Sequence, residues 1–295
     1  MASSTHEYGA TVVRERKPVG FYLASVWLGI CFFISAFGDM LPITDWKFND
    51  FERAGAGLFS PGHILGADLD GVDMLSAVIH GTRWSIVISF VSVFIASIIG
   101  GALGIVAAYW RGWLDSVITM YFNVTLSIPT LILTLAMVAV FASPDPFNPQ
   151  ASMPRILVLI ISITFVLIPI LGRIARSAAL SWTGREFVMV AESIGMKRRQ
   201  ILWSHIVPNA VPAMMSVGFL AAGVVIVVEG GLAILGVGTD PGQSWGSILA
   251  KNRGDISIVP HTTLVPAAAI ALTVMALNYF GDYVRAVIDG RESRI

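Results

Sequence analysis

Apolar residues along this chain come in long, non-alternating runs, and the charged residues stand in clusters between them. Lys17 to Asp39, Arg83 to Arg111 and Asp115 to Asp145 bracket uncharged runs of 21, 27 and 29 residues. Arg155 to Arg173 bracket 17 more and Asp255 to Asp282 bracket 26; between Arg199 and Asp240 the single charge is Glu229. A helix crossing the hydrocarbon core needs about 20 predominantly apolar residues. The pattern therefore predicts six spans, at 19–37, 85–109, 116–141, 156–172, 210–236 and 264–281. Backbone amides in lipid must be satisfied within the segment, so these runs are expected to be helices. The Val/Ile-rich stretches at 86–99 and 156–170 would read as strands in a soluble protein, but a membrane barrel needs short alternating segments and these do not alternate. The fold class that follows is an all-α integral membrane protein.

Composition agrees: 55% of the 295 residues are hydrophobic and 13% charged, against about 25% charged in a soluble domain. The 19 basic and 19 acidic residues balance, so nothing points to nucleic acid. Cys31 is the only cysteine, which excludes disulfides and cysteine-rich metal sites within the chain. Arg14, Arg16 and Lys17 precede the first apolar run in the manner of a signal peptide. That run exceeds the roughly 7–15 residues of a signal core and no small-residue cleavage site follows it, so an uncleaved signal-anchor is expected. Lys and Arg favour cytoplasmic segments. Placing the N-terminus inside puts 13 basic residues on the inner face and 6 (Lys47, Arg53, Arg83, Arg155, Lys251, Arg253) outside. Both termini are thus expected to be cytoplasmic. The organisation expected is a first part, 1–84, holding the N-terminus, one span and a long external segment, then a core, 85–295, of five spans with a cytoplasmic loop at 173–207.

That loop is longer than a connection requires. Thr183-Gly184-Arg185-Glu186 has capping-box spacing. Phe187, Val190, Ala191 and Ile194 then recur at i, i+3, i+4 and i+7, which predicts a short helix with one apolar face. Gly195 is placed to end it, and a second helix is expected from Lys197 to Ile206, broken at Pro208 before the fifth span. Such a helix either lies flat in the lipid interface or sits in a groove on a partner.

Here the residues carry a family resemblance. Glu186-Phe187-Val188, Ala191, Gly195 and His205-Ile206-Val207-Pro208-Asn209 resemble the coupling-loop signature of binding-protein-dependent ABC importer permeases. That signature is Glu-Ala-Ala, three residues, Gly, and a Pro thirteen positions after the Gly; Gly195 and Pro208 keep the spacing. Met189-Val190-Ala191 stand where Glu-Ala-Ala is expected, and Glu192 is three positions away from the missing Glu. Leu65-Gly66-Ala67-Asp68 with Gly71-Val72-Asp73 resembles a segment of peptide and nickel permeases, Val72 replacing their Arg. Pro129, the Gly231–Gly238 stretch with Ser244-Trp245-Gly246, and Asn278, Gly281, Asp282, Arg285 and Asp289 resemble further parts. Together, from about residue 60 onward, they are similar to the C-type permease subunit of dipeptide and oligopeptide importers.

The resemblance implies a type I ABC importer permease fold of six transmembrane helices, with a coupling helix, in the cytoplasmic membrane of a prokaryote. It implies a second homologous permease, two ATPase subunits, an external substrate-binding protein and a peptide cargo. ATP and Mg would be bound by the partner subunits: this chain has no Gly-x-x-x-x-Gly-Lys-Ser/Thr phosphate loop. In such a mechanism ATP binding closes the ATPases, the coupling helices move with them, and the spans rock between two states. The docking surface expected is Glu186, Phe187, Val190, Ala191, Glu192, Ile194, Gly195, Met196 and Lys197. Glu229, Pro129 and Asn278 are candidates for the translocation path or gate. For Glu229, ionisable inside a span, a cavity role stands beside a hydrogen bond to a neighbouring helix, and Gly230 and Gly231 beside it either soften the helix or allow close packing. Asp68, Asp70 and Asp73 look like half a calcium loop without its closing Glu, so a solvated turn is expected. Gly100, Gly101 and Gly104 are expected to let helices pack closely.

Other readings are open. The same architecture could import nickel chelates, glutathione or opines. A self-sufficient channel or secondary transporter would need ionisable groups or broken helices at mid-membrane, where only Glu229 is available. A membrane enzyme would need a nucleophile–base constellation, and the sequence offers none.

Overall fold

The computed structural model describes residues 19–41, 43, 48–142 and 153–292, with side chains to 287. The basic residues at 14–17, Lys47, Asp145, Asp289, Arg291 and Arg294 carry expectations that lie outside the described residues or side chains. The helices are α1 (Val19–Phe37), α2 (Met74–Trp110), α3 (Gly112–Ser127), α4 (Thr130–Phe141), α5 (Arg155–Thr183), α6 (Glu186–Ser193), α7 (Arg198–Ile201), α8 (Val207–Ile234), α9 (Trp245–Asn252) and α10 (His261–Glu292). Among the described residues there is no β-strand, only three isolated bridges in the 49–73 segment. Among the described residues five helices are long and apolar enough to cross a membrane, six if α3 and α4, bent by 85° relative to each other, count together as one span.

The bend corrects the expected continuous third span. Pro129 has no N–H to give a helix and its ring keeps the preceding residue out of the helical region. Ile128 is accordingly extended, at φ −91° and ψ 129°, and a new helix starts at Thr130. The second span is longer than hydropathy predicts. Asp73 caps it, its Oδ2 accepting from the Ser76 N–H at 2.8 Å, so α2 runs straight through the expected 84/85 boundary. The break expected at Pro208 does not occur either. A π-helical stretch, Leu202–Ile206, joins α7 to α8, and Pro208 falls in the first turn of α8, where a missing N–H is tolerated.

Small residues set the tightest packing. A Cβ on Gly100 would lie 2.4 Å from the Ile168 carbonyl oxygen, and one on Gly104 2.1 Å from that of Gly172. α2 and α5 therefore meet backbone to backbone, as the glycine spacing predicted. Gly172 in turn receives the ring of buried Phe122 from α3. Hydroxyls and an indole tie other pairs: Ser89 Oγ donates to the Ala222 carbonyl of α8 at 2.6 Å, and Trp27 Nε1 of α1 donates to Thr273 Oγ1 of α10 at 3.0 Å. The main core gathers Leu28, Ile88, Phe122, Leu159, Ile226 and Leu277 from α1, α2, α3, α5, α8 and α10.

Candidate functional site

Two polar regions lie at opposite ends of the bundle. One holds α6 and the turn between α2 and α3. The other holds the 48–73 segment, α9 and the start of α10.

At the first end, α6 is a two-turn helix held against the bundle by few residues. Val188 and Ala191 are buried, joining Ile105, Ala175, Ala179, Ile201, Leu202 and Ile206 in a separate apolar cluster. The helix ends as its glycine predicted. Gly195 has φ +81°, its N–H bonds the Glu192 carbonyl at 3.0 Å, and the Met196 N–H bonds that of Ala191 at 3.1 Å. This is the paired closure for which a left-handed glycine is suited. Two expectations need correction. Thr183 does not cap α6: it is the last residue of α5, its hydroxyl donates to the Leu180 carbonyl at 3.0 Å, and Arg185 stands at the N-cap. The expected apolar stripe is also split. Ala191 faces the protein's own core and Met196 is half-buried against it, so neither is on the open side. Phe187, Val190 and Ile194 are exposed, with Met189 beside them at 53% exposure, a residue the i, i+3, i+4 pattern missed. Glu186, Glu192, Gly195 and Lys197 are exposed as well.

The root of α6 is aromatic. Arg185 lies over the Trp182 ring at 4.9 Å, Trp182 is 6.2 Å from Phe187, and Phe187 is 5.8 Å from His205 on the π-helical stretch. Nearby, Arg176 of α5 grips Asp115 of α3 with two hydrogen bonds of 2.7 Å, and Arg173 donates to Asn123 at 2.6 Å.

At the other end Glu229 is 1% exposed. Its Oε1 accepts from Ser244 Oγ at 2.7 Å, and Ser244 caps α9 in a capping box with Ser247. Glu229 thus makes the expected hydrogen bond to a neighbouring element, while its second oxygen has no partner among the described residues. A Cβ on Gly246 would fall 2.6 Å from Glu229 Oε2 and 2.6 Å from Gly230 Cα, so the close packing here rests on Gly246; a Cβ on Gly230 would meet only Gly246 Cα at 3.8 Å, and one on Gly231 would meet nothing within 4 Å. Trp245, next to the cap, is buried and bonds the Val78 carbonyl of α2 through Nε1 at 3.0 Å. No pattern along the chain points to the Ser244 contact, fifteen positions away from Glu229.

Asp68 is not in the solvated turn expected of it. It is 2% exposed, accepts from the Asp70 and Val72 N–H groups, and meets Lys251 Nζ at 2.9 Å. Lys251 also reaches Asp70 at 2.7 Å. Burial works against the Lys251 ammonium, but its hydrogen bonds to Asp68 and Asp70 and their charge outweigh that and hold its pKa above the ordinary lysine value. Asp73 pairs instead with His63, at 2.9 Å. Pro129 and Asn278 are exposed and are not brought to Glu229: Pro129 marks the α3–α4 bend, and Asn278 lies beside Gly223 where α10 crosses α8.

Residues 100–294 match the sequence profile of the family described as the binding-protein-dependent transport system inner membrane component. The chain is 33% identical over 228 residues to the dipeptide transport system permease protein DppC of Alkalihalophilus pseudofirmus, covering 77% of this chain and 71% of that one. It is 31% identical over 251 residues to the glutathione transport system permease protein GsiD of Pectobacterium atrosepticum, covering 85% and 79%. The fold superposes on a chain of the MetNI methionine ABC transporter, crystallised in inward-facing form, with a TM-score of 0.60 at 21% identity, over 72% of this chain and 97% of that one.

Proposed function

Because this chain belongs to the family of binding-protein-dependent transport system inner membrane components, we propose that it is the permease subunit through which an ATP-driven importer moves short peptides into a prokaryotic cell. The observation that carries this is α6, an eight-residue helix anchored through Val188 and Ala191 whose remaining apolar residues, Phe187, Met189, Val190 and Ile194, face outward. A helix so displayed fits a groove on a partner, and Glu186, Glu192, Gly195 and Lys197 frame the contact. In this reading the partner is one of two ATPase subunits, which hold the ATP and Mg; this chain contributes no catalysis. A second homologous permease and an external binding protein complete the assembly, and both termini are cytoplasmic. α3 and α4, with Pro129 at their bend, and Asn278 belong to the moving or path-lining part. Glu229 holds the outer end of α8 to α9.

Peptide cargo is supported by the relatives, since dipeptides and glutathione share peptide bonds and charged termini. Uptake by a strain lacking this chain, complemented or not, tests it with dipeptides, longer peptides, glutathione and nickel chelates in parallel. Complemented uptake of nickel alone would refute the peptide reading. For the docking surface, cysteine in place of Val190 or Ile194 should crosslink to the co-expressed ATPase; labelling by lipid-phase reagents alone would refute it.

A further inference from the structure

The segment 48–73 turns large apolar side chains outward: Phe48, Phe51, Leu58, Phe59, Ile64 and Leu69 are all exposed. It is not a loose loop. His63 is buried between Asp73 and Asp50, at 2.9 and 3.6 Å, and Asp68 is fixed by two backbone N–H groups and Lys251. Gly71 presses so close to Asp50 that a Cβ there would lie 2.3 Å from the Asp50 carbonyl oxygen. At its tip Phe59 is 82% exposed and held at φ +59°, with its N–H on the Ile64 carbonyl at 3.0 Å. The left-handed region is unfavourable for so bulky a residue, so the fold holds an aromatic ring outward against its backbone preference.

Depth decides what covers this tip. Leu58 forms one wall of an apolar groove of about 500 Å³ whose other walls are Pro260, His261, Leu264, Val265 and Ala268 at the start of α10. The apolar run of α10 begins at Leu264, so three of those walls belong to the outermost turns of a membrane-crossing helix. Leu58 thus lies level with the first turns of that apolar run, and the groove continues onto the exposed face of α10 at Leu264, Leu272 and Met275. A soluble partner filling it from the water would have to pack against the apolar face of a membrane-crossing helix. The lining offers it no free polar anchor either, since His261 Nε2 already faces the Ala67 carbonyl at 3.3 Å. The buried acids of the segment point the other way, Asp68 toward α9 and Asp73 into the start of α2. Exposed Glu52 and Arg53 suit the headgroup layer.

We propose that residues 58–59 are an interfacial membrane anchor: Leu58 and Phe59 sit in the headgroup–acyl boundary of the adjacent leaflet, and a phospholipid acyl chain lies in the groove between Leu58 and α10. Apolar side chains on a rigid support bind bilayers in this way. The inference rests on the membrane-spanning reading alone and not on the cargo or the ATPase.

The test is site-directed spin labelling of the full chain, co-purified with its partners and reconstituted in nanodiscs of phosphatidylcholine and phosphatidylglycerol. Cys31→Ser removes the only native thiol, and labels are placed one at a time by Phe59→Cys, Leu58→Cys, Met275→Cys (span reference) and Asp240→Cys (aqueous reference, on the exposed loop before α9). The ratio of collisions with oxygen to collisions with a water-soluble nickel chelate at 58 and 59 should approach that at 275. It should exceed that at 240 by about tenfold, a factor equivalent to about 1.4 kcal/mol. A ratio like that at 240 overturns the anchor, and so does a label shielded from both reagents, which would mean a protein covers the tip. Ala268→Phe, which fills the groove, should lower by one the phospholipids retained in native mass spectra; an unchanged count overturns the acyl-chain occupant. Neither readout depends on transport, so failure here leaves the importer reading standing.

Discussion

At the end of the bundle carrying α9, polar groups withdrawn from water find counterparts in the same chain. Asp68 meets Lys251, Asp73 meets His63, and Glu229 meets the cap of α9. At the opposite end α6 buries Val188 and Ala191 and leaves Phe187, Met189, Val190 and Ile194 in the open beside Lys197, Arg198 and Arg199. The first end finds these counterparts within the chain, so changes there should register as stability. The second leaves apolar residues uncovered, so under the docking proposal changes there should leave the fold intact and register in assembly and transport.

The contrast breaks most sharply at Trp245. Truncating this buried indole by Trp245→Ala removes its packing and its bond to Val78, and should cost about 3–5 kcal/mol of stability; thermal unfolding in detergent would show it. If Trp245→Ala melts normally, the end carrying α9 is not the self-sufficient unit described. Ser244→Ala should cost about 1–3 kcal/mol by the same assay, because Glu229 then stays buried with neither oxygen bonded. Pairing it with Glu229→Gln sharpens the point, since an amide can still accept from Ser244 and should retain most of the stability.

At the other end the readout changes. Ile194→Asp places a charge on an exposed apolar residue, so the melting temperature should move little. The same variant should weaken ATPase association by about 1–2 kcal/mol, roughly tenfold or somewhat more, measured by pull-down from co-expressing membranes. A variant that melts early while still binding would invert the comparison.

The smallest effect is expected from pH. The folded-state pKa of Lys251 is raised, so its contribution is complete below the unfolded lysine value of about 10.4 and fades as pH climbs through the folded value. With Lys251 partly exposed, that contribution should stay under about 1 kcal/mol. The difference in melting temperature between the native chain and Lys251→Met should therefore shrink as the medium becomes strongly alkaline, and be constant near neutrality.

Hydropathy made the spans legible because lipid imposes one solution on a long apolar run. α1 ends at its expected bound, Phe37, for that reason. It failed where tertiary contacts or local backbone chemistry take over. Residues 74–84 include His80, Thr82 and Arg83 and read as loop, yet Asp73 caps them into α2. Pro129 was visible, but an 85° bend rather than a mild kink depends on what α3 and α4 each pack against. In α6, two turns of mixed apolar residues fit more than one inward face, and the choice of Val188 with Ala191 is made by the Ile201–Ile206 stretch that follows. The contacts of Glu229 and Asp68 lie with partners in other parts of the chain, which no periodicity can report.

Where Gly100 and Gly104 rest on the main chain of α5, there is no side chain between the two rods to bend, slide or re-rotamerise. A joint of that kind has almost no give. Whatever motion carries a solute past this subunit, α2 and α5 should travel through it as a single beam. A pair of distance probes at Val91 and Ile161 should then report the same separation with nucleotide bound and without, while the arm beyond Pro129 swings.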